Sequence, residues 1–361
     1  MLEELSIIGQ KFRLPGRVDS YEIINNGHIN STYKVNYILP DGNPKSYIFQ
    51  KINTYVFKNP VEIMKNIDLI TSHIRAKCPG RISLHFHHTH DGENYVFSEK
   101  SFWRVMNYVD SVTYNTYKDM DIIRAGGEAF GDFQLQLSDF DASLLFETIP
   151  DFHDTKKRLE TLFKDAQEDA LGRVSNVREE LEYIASVKEF AWELSERYKA
   201  GEFPVRVTHN DTKVNNVLFD KVTHEPLVVI DLDTVMPGMA MYDFGDAARF
   251  ICNTSLEDEP DLSRVWFDAK KYEAFAEGFI SKVRDGWTDE ELAGCTHSTF
   301  AITIELASRF LDDYITGDKY FKTSYEGHNL TRTRCLLHLA KSITEQYDTL
   351  CSIVNRVIEG K

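Results

Sequence analysis

The chain has 361 residues, of which 42% are hydrophobic and 12% aromatic, a composition that excludes a disordered tail and allows about two domains or one large two-lobed fold. Asp and Glu outnumber Lys and Arg by 57 to 41, for a formal net charge of −16. Without a basic stripe to release counterions from phosphates, nucleic acid is not an expected partner. Residues 1–8 carry acids where a targeting leader would carry positive charge, and no run approaches the ~18 apolar residues of a membrane span, so the expectation is a cytoplasmic protein with no membrane partner.

In chain order, residues 33–39 and 47–52 read as strands joined by the turn Pro40-Asp41-Gly42-Asn43, a hairpin. Pro60 opens a helix whose apolar positions Val61, Met64, Ile67 and Ile74 fall at helical spacing. Strands return at 82–86, 95–97 and 103–109. Beyond residue 120 the period is helical, first through Ile122, Gly126, Phe130, Phe133 and Leu137, then through Val177, Leu181, Ile184, Val187, Phe190, Leu194 and Tyr198. Short β-rich pieces at 205–207, 217–219 and 227–230 interrupt, and helices then run to the C-terminus. The fold class is α+β: a small β-rich N-terminal lobe, residues 1–106, and a larger, mainly helical lobe, residues 107–361. No sequence signature of oligomerisation is readable, and a monomer is the expectation.

The segment 207–219, followed by a strand ending at Asp231, fits H-x-D-x-x-x-x-N with His209, Asp211 and Asn216 on a loop between two strands. Phosphoryl transfer needs these types: a carboxylate to orient and deprotonate the attacking hydroxyl, and an amide with a second carboxylate to hold Mg²⁺ on the nucleotide. The bland alternative makes Asp211 a turn cap and Asn216 a strand-end residue. Asp243-Phe244-Gly245 spells the protein-kinase metal motif, but it lies 32 residues after Asp211, whereas Asp231 lies 20 after it and directly ends a strand. Asp243 is therefore expected to accept hydrogen bonds from the catalytic-loop backbone instead.

Between predicted strands, Gly27-His28-Ile29-Asn30-Ser31-Thr32 suits a turn that covers phosphates with backbone amides. The next strand carries Gln50 where kinases place a lysine, and an amide can hydrogen-bond a phosphate oxygen without neutralising its charge. Lys51, by alternation, faces away from Gln50. Arg309, Asp312, Asp313, Tyr314 and Tyr320 form a cluster able to recognise hydroxyls, or alternatively a surface ion pair beside core tyrosines. His85, His87, His88 and His90 split between two faces of a strand, which separates them as metal ligands. The five cysteines are widely spaced without any C-x-x-C, so neither a disulfide framework nor a zinc knuckle follows.

These segments, together with Phe130-Gly131-Asp132-Phe133-Gln134, Phe152-His153-Asp154-Thr155, residues 230–238 and residues 309–321, resemble the kinase-like small-molecule phosphotransferases, the superfamily of aminoglycoside, choline and homoserine kinases. The resemblance extends over nearly the whole chain to the N-acetylhexosamine 1-kinases. It implies a protein-kinase-like two-lobed fold with ATP between the lobes, Asp211 as catalytic base, and Asn216 and Asp231 as Mg²⁺ ligands. It also implies nucleotide contacts at Gly27, Asn30, Thr32 and Gln50, and sugar contacts at His28, Thr234, Arg309 and Tyr320, with Asp233 serving a second metal or the sugar. The implied reaction phosphorylates GlcNAc or GalNAc at the anomeric hydroxyl. Choline, homoserine or an aminoglycoside is the alternative acceptor, and a nucleotide- or sugar-binding sensor without turnover is the rival of a different class.

Overall fold

The computed structural model describes residues 1–24, 30–98, 101–114 and 119–360, so Gly27 and His28 lie outside the described residues. In chain order the elements are α1 (Leu2–Gly9), β1 (Arg17–Ile24), β2 (Ser31–Ile38), β3 (Pro44–Ile52), α2 (Pro60–Lys77), β4 (Val96–Ser98), β5 (Ser101–Asn107), α3 (Met120–Gln136), α4 (Thr155–Glu168), α5 (Arg178–Lys199), β6 (Arg206–Thr208), β7 (Val217–Phe219), β8 (Pro226–Val229), β9 (Met236–Gly238), α6 (Met241–Ile251), α7 (Ala269–Val283), α8 (Asp289–Thr316), α9 (His328–Glu345) and α10 (Tyr347–Glu359). They form two compact units. Unit 1 comprises Met1–Val112, Ser143–Thr148 and Leu218–Met236, and unit 2 comprises Thr113–Ala142, Ile149–Val217 and Pro237–Lys361.

Unit 1 is built on an antiparallel sheet of order β1-β2-β3-β5-β4. The expected hairpin is β2–β3, closed in the register Ile38↔Pro44, with Gly42 at φ 84° where a side chain would strain the turn. Alternation sends Tyr33, Val35, Tyr37, Tyr47, Phe49, Trp103 and Val105 to one face, where they pack with Leu5, Ile8 and Phe12. The helix α1 was not expected from the sequence; eight residues with only Leu5, Ile8 and Gly9 buried are too few to establish a period. Its Gly9 lies so close to β2 that a Cβ there would sit 2.0 Å from Tyr37 Oη.

The strand expected at 82–86 is not formed. Only Phe86 bridges Met106, because β5 ends at Asn107 and leaves no strand where the antiparallel register would set residues 82–84, and the Asn107 side chain takes the His85 amide. His85 and His87 contact each other edge to face, while His88 faces Asp68 at 3.6 Å. Burial holds the His87 imidazolium down to about 4, so it is neutral at physiological pH, with His85 and Lys45 adding to the effect.

Unit 2 is organised around α8, which starts at a capping box between Thr288 and Glu291 and ends at Gly317 with φ 109°. Helices α4, α5, α6, α9 and α10 pack against it, and α3 packs against α7. The α3–α7 approach is close enough that a Cβ on Gly278 would lie 2.0 Å from the Arg124 carbonyl oxygen. Phe244 sits in a ring cluster with Tyr272, Phe275 and Phe279 at centroid distances of 5.2–5.7 Å. Burying a side chain of that size contributes roughly 2–3 kcal/mol. No helix among the described residues is long and apolar enough to cross a membrane.

Candidate active site

The expected catalytic loop runs from β6 to β7, and its backbone is held by buried carboxylates of α6. Asn210, just before Asp211, takes the left-handed conformation at φ 63°, which Asn tolerates better than other non-glycine residues. Asp243 holds it there. One carboxylate oxygen accepts from the His209 amide at 2.7 Å and from Gln134 Nε2 at 2.7 Å, and the other accepts from the Asn210 amide at 2.8 Å. Burial pushes the Asp243 carboxyl above the usual carboxylate range, against the pull of His209 and of these donors. The supporting role expected for Asp243 is thus the geometry observed. Gly245 has a packing reason as well, since a Cβ there would stand 2.6 Å from the Ser298 backbone.

The next residue is anchored by a second buried carboxylate. The Thr212 amide donates to Asp246 at 2.9 Å, and Asp246 also accepts from Arg249 Nε at 3.0 Å and Nη2 at 2.7 Å. Burial opposes ionisation of Asp246, but Arg249 and Lys213 outweigh it and hold the carboxyl below its ordinary value. His209 packs edge-on against Phe130 and Phe133 and accepts the Asp211 amide at 3.3 Å on Nδ1.

The Asp211 side chain lies between two polar neighbours. Lys213 Nζ is 2.9 Å from Oδ1, and Asn216 Nδ2 donates to the Asp211 carbonyl at 2.9 Å. Because the Asn216 nitrogen is committed to the loop, its carbonyl oxygen is the atom left for a hard cation. Asp231, in unit 1, is an exposed carboxylate at the end of β8 with φ 62° and ψ 58°. Each is an oxygen donor of the kind that a hard cation such as Mg²⁺ takes. Sequence reasoning assigned no role to Lys213; its signal was a cation two residues after the loop carboxylate. Asp211 raises its pKa, so it remains a cation.

Unit 1 gathers Asn30, Thr32, Gln50, Asp231 and Thr234. Gln50 is the register partner of Thr32 on one side and Arg104 on the other, so the three share the sheet face opposite the aromatic core. Its Nε2 donates to Thr32 Oγ1 at 3.1 Å, and its Oε1 accepts from Arg104 Nε at 2.9 Å. Arg104 Nη1 pairs with Asp233 Oδ1, and Asn30 Nδ2 donates to Asp233 Oδ2 at 2.7 Å. Both Asp233 oxygens are therefore engaged within the protein. Lys51 faces away, as alternation requires, with Nζ 5.6 Å from the Trp103 ring centroid and 3.7 Å from Glu4. On α2 the polar anchor is Asn66, which donates to the carbonyls of Phe146 and Val235 at 2.8 and 3.0 Å.

Arg309 and Tyr320 come together in unit 2. The Arg309 guanidinium carbon lies 5.3, 5.6 and 5.8 Å from the ring centroids of Phe152, Phe321 and Tyr320, and it makes no ion pair among the described residues. Burial, with Arg158 nearby, lowers its pKa, and Glu305 and Tyr320 oppose that shift. Asp313, buried on α8, positions the aromatic loop by accepting the amides of Lys319, Tyr320 and Phe321 at 2.8–2.9 Å. Beside this cluster, His153 Nδ1 and Thr155 Oγ1 meet Glu305 at 2.8 and 2.7 Å.

Residues 20–277 match the phosphotransferase enzyme family, APH. The chain belongs to that family. Its kinase-like fold is shared with an aminoglycoside phosphotransferase from Alicyclobacillus acidocaldarius at 12% identity, covering 98% of this chain and 96% of that one with a TM-score of 0.61. A choline kinase from Cryptosporidium parvum matches at 13% identity, over 94% and 93% of the two chains, with a TM-score of 0.56. An amicoumacin kinase in complex with AMP-PNP and Ca²⁺ matches at 11% identity, over 99% and 94%, with a TM-score of 0.54. At these identities the likeness is one of fold, so this phosphotransferase's acceptor has to be argued from its own residues.

Proposed function

We propose that this phosphotransferase moves the γ-phosphoryl group of ATP to the anomeric hydroxyl of GlcNAc or GalNAc, giving the N-acetyl-α-hexosamine 1-phosphate. The observation that carries the sugar reading is the setting of Arg309. A half-buried guanidinium within 6 Å of the Phe152, Tyr320 and Phe321 ring centroids, without an ion pair among the described residues, has donors to offer to hydroxyl or acetamido oxygens, and it repels a cationic acceptor such as choline. Aromatic walls with a few directional donors are the usual make-up of a sugar site.

In this reading the Asp211 carboxylate accepts a hydrogen bond from the acceptor hydroxyl and takes its proton as the phosphoryl group transfers. Lys213, 2.9 Å from Oδ1, balances the negative charge beside it. Asn216 and Asp231 would hold Mg²⁺, which would neutralise charge developing on the phosphate oxygens. Thr32, Asn30 and Gln50 serve the nucleotide side, and Thr234, Arg309 and Tyr320 serve the sugar.

The test is ATP consumption with Mg²⁺ against GlcNAc, GalNAc, glucose, galactose, choline and homoserine, with phosphorus NMR on any product. An anomeric phosphate from an N-acetylhexosamine is the expected result. Turnover with choline or homoserine alone would remove Arg309 and Tyr320 from the acceptor site while leaving the Asp211 chemistry intact.

A further inference from the structure

The small unit carries its buried positive charge on β5 rather than on β3. Gln50 and Arg104 face each other in the β3–β5 register, so the charge expected on one strand stands one strand away at the same level. Arg104 is 1% exposed; its Nε is on Gln50, its Nη1 is on Asp233 and 3.9 Å from Met64 Sδ, and its guanidinium lies over the Phe86 ring. Asp233 is 3% exposed and gives its second oxygen to Asn30, whose own Oδ1 accepts the Asn53 amide at 3.0 Å. The result is one hydrogen-bonded relay from Asn53 through Asn30, Asp233, Arg104 and Gln50 to Thr32, buried at its centre and half-buried toward its ends.

A buried ion pair contributes little net stability, because desolvating two charges offsets their attraction; what it supplies is a fixed arrangement. The arrangement fixed here is the turn 231–234. Asp231 sits two residues before Asp233 in a left-handed conformation, and Asn30 directly precedes β2.

We propose that Arg104 is a positioning residue for the metal–nucleotide: acting through Asp233 it sets Asp231, and through Asp233 and Asn30 it ties the start of β2 to the same turn. The proposal rests on the kinase reading given above. It also accounts for Gln50, because a lysine at that position would set a second cation against Arg104, whereas the amide accepts the Arg104 Nε–H.

The experiment titrates a fluorescent ATP analogue into the full chain with Mg²⁺ and again in EDTA, alongside thermal unfolding. The variants are Arg104→Met/Asp233→Asn, which removes both charges and keeps the approximate shape, and Gln50→Lys/Arg104→Met, which returns a cation to β3 opposite Asp233. The first double variant is expected to remain folded, keep its affinity in EDTA, and lose about 10- to 100-fold of the affinity that Mg²⁺ adds, the usual cost of removing a group that orients a metal ligand. The second is expected to recover most of that loss. Equal losses with and without Mg²⁺, or an unchanged Mg²⁺ dependence, would overturn the proposal. A parent chain without Mg²⁺-dependent nucleotide binding would overturn the kinase reading along with it, so the two failures are distinguishable.

Discussion

Asp243→Asn separates a loop-holding carboxylate from a metal ligand. In the parent, one oxygen takes His209 N–H and Gln134 Nε2–H, and the other takes Asn210 N–H. An amide has a single acceptor oxygen, and its best orientation keeps the first two bonds. Its NH₂ group then faces the Asn210 N–H, donor against donor, in a buried site. Losing a hydrogen bond to a charged acceptor and leaving the amide unsatisfied costs about 2–4 kcal/mol. That is well inside the 5–15 kcal/mol typical of a folded domain, so the variant stays folded at 25 °C.

Released from Asp243, Asn210 relaxes out of its left-handed conformation and carries the Asp211 carboxylate with it. A displacement of about 1 Å at a reacting group lowers turnover on the order of 10²-fold. Urea unfolding and steady-state ATP turnover measure the two effects separately. The reasoning is refuted if the unfolding free energy changes by less than about 0.5 kcal/mol, the range of an ordinary surface substitution, or if the loss of turnover is recovered at high Mg²⁺. Asp231→Asn supplies the contrast: its carboxylate is exposed, so stability should hold while the Mg²⁺ requirement rises.

Asp211→Asn should unfold at the parent's midpoint yet lose about 10²- to 10⁴-fold in kcat, the range for a general base, and near-full activity would remove it from that role. Arg309→Met should raise KM for the N-acetylhexosamine about tenfold or more, with KM for ATP unchanged, since it deletes charge-assisted hydrogen bonds to the acceptor alone. Asp312 offers a pH test. Burial, with the Asp165 and Asp313 carboxylates nearby, pushes its pKa from 3.8 up to about 7. Between those values the folded state binds the proton that the unfolded state has released, so this contribution to stability is greatest below pH 4 and is lost as pH rises through about 7. Asp312→Asn cannot ionise, and its unfolding midpoint relative to the parent should improve between pH 5 and pH 8; a constant difference would contradict the shift.

What was legible in the sequence was local. His209, Asp211 and Asn216 fall within eight residues between β6 and β7, and α3 and α5 carry apolar faces long enough to show their period. Helix α1 and the bridge at Phe86 were missed or misread because each depends on what neighbouring strands leave uncovered. Ser143–Thr148 and Leu218–Met236 join unit 1 from far along the chain, held in part through Asn66, and no periodicity announces such a partner.

The two departures from kinase lettering have the same physical origin. Read along β3, Gln50 is a missing cation; read across the sheet, it is the register partner of Arg104, whose own partner Asp233 lies 129 residues away. Read as three letters, Asp243-Phe244-Gly245 is a metal motif. In the fold Asp243 holds loop amides, Phe244 fills the ring cluster of α6 and α7, and Gly245 admits α8 at Ser298. Each letter answers a packing or hydrogen-bonding demand made by a neighbour distant in sequence. The residue types at a site are therefore readable before the structure is known, but their division between chemistry and support is decided by which backbone amides and charges the fold brings within 3 Å of them.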